Sequence, residues 1–208
     1  MLHRLHRISA VVIVAFVLLH LLNHLFALQG IPEHIEMMDK LRMVYRHIVA
    51  ESLLLLCVLV QVGSGLYFAW IRRGQRRGFF EKAQVISGLY LAYFFLNHIG
   101  AVMYGRLVLG LDTNIYYGIA GFHTHPLQFY FVPYYFLAVV AVFVHIAAAF
   151  HWLTRSALGD RSRKWLAISI IFVGVMISNI LIDAFCGVFY DIEIPEEYSA
   201  IYLQLGFM

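Results

Sequence analysis

Five apolar stretches, each about as long as a bilayer is thick, alternate with short polar loops along the chain. They cover residues 8–28, 47–71, 84–104, 129–153 and 165–186. About 20 mostly apolar residues in helical form cross the hydrocarbon layer, so the pattern predicts five transmembrane helices and an all-α bundle. The first stretch also sits where a secretion signal would. Its apolar run is too long for such a signal, and Ala27-Leu28-Gln29 is a poor cleavage site, so we read it as a helix. Beyond the fifth stretch, Pro195 followed by Glu196 and Glu197 has the form of a helix start. Tyr198, Ile201, Tyr202 and Leu205 then fall on one stripe, which predicts a short amphipathic helix lying on the outer interface.

Composition removes the soluble alternative. Of the 208 residues 62% are hydrophobic and 13% charged, with a mean hydropathy of +0.79. A soluble domain carries roughly 25% charged residues, so this chain cannot clothe itself in a polar surface and forms one membrane domain over residues 1–208. The few charges are unevenly placed. One side of the predicted bundle carries eleven cations: Arg4, Arg7, Arg72, Arg73, Arg76, Arg77, Lys82, Arg155, Arg161, Arg163 and Lys164. The other carries four: Lys40, Arg42, Arg46 and Arg106. Short loops rich in Lys and Arg stay in the cytoplasm, so the N-terminus is expected inside and the C-terminus outside, in a bacterial inner membrane. Topology and anionic lipid headgroups account for these cations better than nucleic acid does.

Candidate chemistry lies in the histidines. His20, His24, His98 and His145 all fall inside the apolar stretches, where an ionisable side chain is expensive and rarely kept without a use. Imidazole is also the commonest protein ligand for metals, haem iron included. At a rise of about 1.5 Å per residue, His20 and His24 lie roughly 18 and 24 Å above the inner end of span one, and His98 roughly 21 Å above that of span three. These three share a level in the outer half of the bilayer. His145 lies only about 12 Å from the inner end of span four and belongs to another layer. His20 and His24 face the same side of their helix, so either could pair with His98 around one iron. Cys57 and Cys186 form no attachment motif, so the haem expected is b-type. Arg46 and Arg106 stand at the matching interface, where haem propionates would meet them.

Small residues that could admit a macrocycle are Gly63, Ser64 and Gly65, Ser87 and Gly88, Gly100, Gly174 and Ser178, although such residues also serve plain helix packing. His3, His6 and His151 are expected at the solvated inner rim. A second polar set, Glu51, Asn179, Asp183, Tyr116, Tyr117, His123 and His125, could line a pocket for a quinone headgroup; an aromatic belt with helix-end carboxylates is the plainer alternative.

The segment His6-Arg7-Ile8-Ser9-Ala10, followed by His20, resembles the first helix of the membrane cytochrome b subunits of succinate dehydrogenase and fumarate reductase. There a His-Arg-x-Ser-Gly opening precedes a haem-ligating histidine. The resemblance implies five spans, His20 and His98 sharing an outer haem, and His145 as one ligand of an inner haem. It also implies quinone as electron carrier and soluble redox subunits docked on the cytoplasmic side. The chain departs from the pattern at Ala10, and at the second span, where Gln61 lies near the level of the missing inner ligand.

Three classes of function follow. The first is an electron-transferring haem b protein, alone or as the anchor of an oxidoreductase. The second is a metal-dependent membrane enzyme gathering His20, His24, His34, His47, His123 and His125. The third is a transporter or assembly subunit that uses its histidines as helix glue. Lipid is a partner in every case, and association with further copies stays open.

Overall fold

The computed structural model describes residues 1–75 and 78–204. It is all-helical, with no strand among the described residues. The chain runs α1 (Leu2–Leu25), α2 (Ile31–Tyr45), α3 (Ile48–Ile71), α4 (Phe79–Leu107), α5 (Ile115–Ile119), α6 (Gln128–Leu153), α7 (Asp160–Phe185) and α8 (Glu196–Gln204). Single 3₁₀ turns follow α1, at Phe26–Leu28, and α5, at Ala120–His123. The helices α1, α3, α4, α6 and α7 are each long and apolar enough to cross a membrane. In none of them is more than 22% of the most apolar window buried inside the protein. Leu18, Leu56, Leu96, Phe129 and Phe172 are among the large side chains left on the outside, as lipid requires and water would not tolerate.

Three of the spans, α1, α4 and α7, begin several residues before the apolar run does. Flanking basic residues continue the helices, because their long side chains can reach the headgroups from within the first or last turn. Arg4 and Arg7 thus belong to α1, and Arg161, Arg163 and Lys164 to α7. Arg76 and Arg77 lie outside the described residues.

The bundle is built on α6, which packs against both α7 and α4, while α1 packs on α3 and α3 on α4. Small residues set the closest approach. A Cβ on Gly174 of α7 would stand 2.3 Å from Cβ of Phe143 in α6. Ser178, one turn on, donates to the Phe136 carbonyl at 2.8 Å. In lipid, where apolar burial does not favour helix pairs over lipid contact, such close packing and hydrogen bonding hold them together.

The loops on the face assigned to the outside carry a cap, of which the sequence predicts only the C-terminal helix. It consists of α2, α5 and α8. Gly30 opens α2 with a positive φ of 146°, and Pro32 occupies its first turn. Arg42 reaches Asp112 at 2.9 Å and Arg46 donates to Thr113 at 2.9 Å, which ties α2 to the loop after α4. The C-terminal helix is anchored on protein rather than lying freely on the interface. Tyr198 is 2% exposed, receives a hydrogen bond from Asn114 at 2.9 Å and donates to the Asp112 carbonyl at 3.0 Å. Its apolar stripe packs inward because these polar partners hold the hydroxyl. Leu205, the last member of that stripe, lies outside the described residues.

Replacing Gly174 by Ala should destabilise the bundle by about 1–3 kcal/mol through overpacking at Phe143. Gly100→Ala, with nothing within 4 Å of its added Cβ, should be neutral or mildly stabilising. Equilibrium unfolding in mixed micelles compares the two.

Candidate functional site: a histidine-lined cavity

All five spans contribute to a cavity in the outer half of the bundle. Its volume is about 240 Å³, and its lining includes His20, His98, Tyr135, Ser178, Arg46 and Arg106. Most of the wall is aliphatic or aromatic. The polar groups gather at two places: the histidines within, and Arg46, Glu51, Arg106 and Thr113 toward the cap.

His20 and His98 face each other here. Their ring centroids are 6.2 Å apart, with the planes inclined at 62°. His98 has no hydrogen-bond partner among the described residues; its ring is stacked on Phe94 at 5.1 Å and 11°, and meets Tyr135 edge-on. His20 stacks on Phe16 at 5.6 Å. His24 lies one turn further out and is turned toward the cap. It shares hydrogen bonds with His20 at 3.1 Å and with His34 of α2 at 3.0 Å, and sits edge-on to Phe185. His34 is 1% exposed, and its Nε2 is 3.2 Å from the Asn23 amide nitrogen. Burial first, and then the charge of Arg42, hold its pKa down to about 4.

The two arginines named from the sequence are both at the cavity mouth, and neither is free. Arg106 forms an ion pair with Glu51, and Arg46 is held by Thr113 with Asp112 3.9 Å away. Glu51 therefore belongs to this site. The rest of its proposed polar set does not. Asn179 and Asp183 are exposed on α7, with Asn179 donating to the Val175 carbonyl of its own helix. His123 meets the Phe185 carbonyl at 2.9 Å, and His125 is exposed beside Gln128. These residues share a depth but not an azimuth, and the quinone pocket drawn from them is not assembled.

His145 lies in the inner layer. Its Nδ1 donates to the Gln84 carbonyl at 3.0 Å and also lies 3.2 Å from the Ser87 hydroxyl, so the residue straps α6 to α4. Gly88 leaves the room for it: a Cβ there would meet the ring at 3.0 Å. His6 is not at a solvated rim. It shares hydrogen bonds with Ser64 at 2.7 Å and Gln61 at 3.2 Å, and Gln61 accepts from Ser9 at 2.8 Å. His3 is exposed and stacked on Phe68, and His151 is stacked on Phe80. Among the described residues no three or more His, Cys, Asp or Glu side chains converge as a metal-ion site. His47 and His123 in particular are occupied separately from the chain of rings His20, His24 and His34, His47 capping the start of α3 and His123 on the Phe185 carbonyl.

Sequence reasoning passed over α2, and with it the part His34 plays. Signals for both were present. Gly30, Pro32 and Glu33 open a helix, and Ile31, Ile35 and Met38 form an apolar face that includes His34.

The fold and the cavity define a polytopic helical membrane protein with imidazoles aimed into an apolar interior. Comparison with protein-family models, with curated proteins and with solved structures finds no match to this chain.

The donor set fits a b-type haem. Two imidazoles on one metal, with metal–nitrogen bonds of about 2 Å, have ring centres about 6 Å apart, close to the spacing of His20 and His98. The volume lies below the roughly 300–1,000 Å³ of most small-molecule sites, so the cavity as it stands would not enclose a whole macrocycle.

His34 also gives the cap a pH dependence. Its folded pKa lies near 4, whereas an unfolded imidazole protonates near 6.5. Stability from this residue is complete above about pH 6.5 and drains as the pH falls toward 4, by up to about 3 kcal/mol. Thermal melts of the wild type should lose stability across that window more steeply than those of His34→Gln.

Proposed function

We propose that the cavity binds one b-type haem between His20 and His98, and that the protein moves electrons within the membrane, exchanging them with quinone. The single observation carrying this reading is the opposition of two imidazoles across an apolar cavity, one of them without any hydrogen bond. In hydrocarbon an unsatisfied polar group is costly, so a ring nitrogen left without a partner at that depth is best understood as a ligand. The haem, when bound, supplies one-electron chemistry at a potential set by its axial ligands, burial and nearby charge.

The other residues have definable parts. Phe94 and Phe16 fix the planes of the two imidazoles by stacking, so neither ring must search for its orientation. Arg46 and Arg106 provide a cationic mouth where carboxylates of a bound group would lie. The pairing of Arg106 with Glu51 and of Arg46 with Asp112 keeps that mouth close to neutral otherwise. The aliphatic wall excludes water, which favours the low dielectric that tunes a buried redox centre. His145 and Gln61 are engaged with other groups in the inner layer, so the reading involves one haem rather than two. The basic loops on the opposite face offer a surface for an acidic soluble redox partner, in keeping with the resemblance to succinate dehydrogenase-type anchors.

Protein purified from haem-sufficient cells should give the reduced-minus-oxidised spectrum of a low-spin haem b. His98→Ala should abolish it with helicity retained, whereas His145→Ala should leave it in place. A colourless wild-type preparation, or unchanged haem content in His98→Ala, would sink the assignment and favour a role for the histidines as helix glue.

A further inference from the structure

Both nitrogens of His24 are committed. Its Nδ1 shares a hydrogen bond with Nε2 of His34 at 3.0 Å, and its Nε2 shares one with Nε2 of His20 at 3.1 Å. The three rings make a linear chain running from the buried face of α2 into the cavity, where His20 ends it opposite His98. A neutral imidazole has one N–H donor and one lone-pair acceptor. At the shared contact, Nε2 of His20 therefore either gives its hydrogen to His24 or accepts one from it. In neither arrangement is a lone pair left on that nitrogen for a metal. Nε2 is also the distal ring nitrogen, farther from the backbone than Nδ1. The hydrogen bond to His24 and a coordination bond at that atom exclude each other.

We propose that His24, held in place by His34, competes with haem iron for Nε2 of His20, so that loading the cavity requires the imidazole chain to open. This rests on the haem reading above. The far end of the chain is suited to such a rearrangement. His34 Nδ1 and Asn23 Oδ1 are buried without hydrogen-bond partners, so the tether is not a saturated network that must be broken as a whole. His34 and Asn23 keep His24 in reach of His20, and Phe185 bounds its ring on the other side. His24 thus sets how tightly His20 is available, acting through that residue and not as a ligand.

The test is a haemin titration of the full-length protein, purified from haem-deficient cells and followed by the Soret band. Wild type is compared with His24→Phe, which keeps a ring against Phe185 but cannot hydrogen-bond to His20. His34→Leu, which releases His24 from its tether, is the second variant, and circular dichroism checks that each retains its helices. Losing one neutral side-chain hydrogen bond from the competition is worth about a fivefold change in an equilibrium constant. His24→Phe should therefore bind haemin about fivefold tighter, with a low-spin spectrum retained, and His34→Leu should shift the same way by less. Unchanged or weaker affinity in both variants overturns the proposal. Loss of the low-spin spectrum in His24→Phe also overturns it, because His24 would then be the ligand. Failure of the wild type to take up haemin is a different result: it removes the haem reading itself.

Discussion

A polar side chain inside a bilayer has no solvent to return to, and this constraint organises the bundle. Each unsatisfied donor or acceptor costs several kcal/mol in hydrocarbon, so every buried imidazole needs a partner supplied by another helix or its own. The inner layer meets the demand with hydroxyl, amide and carbonyl groups: His6 with Ser64 and Gln61, His145 with the Gln84 carbonyl and Ser87. These contacts cross between α1 and α3 and between α6 and α4, so they also do the work of helix association. The outer layer is different. There the imidazoles pair with one another, and one of them, His98, pairs with nothing. His6, His20, His24, His34 and His145 each have at least one hydrogen-bond partner, and against that background the ring of His98 marks the site.

The cap makes the outer layer possible. Three short helices would have little reason to stay folded over a bilayer surface by apolar burial alone. They are held by a seam of charge and hydroxyl contacts in which Asp112 is the node, meeting Arg42 through its carboxylate and Tyr198 through its carbonyl. That seam fixes α2, and α2 carries His34 to a position 1% exposed beside α1. The Tyr190 hydroxyl, donating to the Ala27 carbonyl, closes the same region from the chain that follows α7. Positioning of a membrane-embedded histidine thus depends on residues outside the membrane, where water would otherwise compete for every one of these bonds.

Depth was legible in the sequence and azimuth was not. Counting along an ideal helix puts His20 and His98 at one level, and the rings do meet across the cavity. The same counting put Glu51, Asn179 and Asp183 near one level too, yet only Glu51 turns inward, toward Arg106. Nothing in a nearly all-apolar stretch reveals which face of the helix looks at protein, because the lipid-facing side is as hydrophobic as the core. The alternation that reports orientation in a soluble helix is absent here. His20 and His24 illustrate the limit at closest range. Both lie on one face four residues apart, and only the position of α2 separates them, by drawing His24 toward His34. His6 was misplaced for the opposite reason: beside Arg4 and Arg7 it reads as rim, but Gln61 and Ser64 of α3 come down to meet it.

The contrast between the two layers bears on what each can do. A histidine bonded to a backbone carbonyl, as His145 is to Gln84, is held by a partner that cannot move without unwinding its helix. A histidine bonded to another histidine is held by a side chain that can change rotamer without unwinding a helix, at the cost of its side-chain hydrogen bonds alone. The inner layer is therefore built to stay as it is, and its contacts read as structure. The outer layer combines a fixed ring, His98 on Phe94, with a ring whose partner is exchangeable, His20 on His24. A site meant to accept a ligand between two imidazoles needs that asymmetry, because one side must be ready while the other can be released. Helix glue alone would give no reason to leave His98 unpaired beside a cavity whose walls could have been filled with leucine.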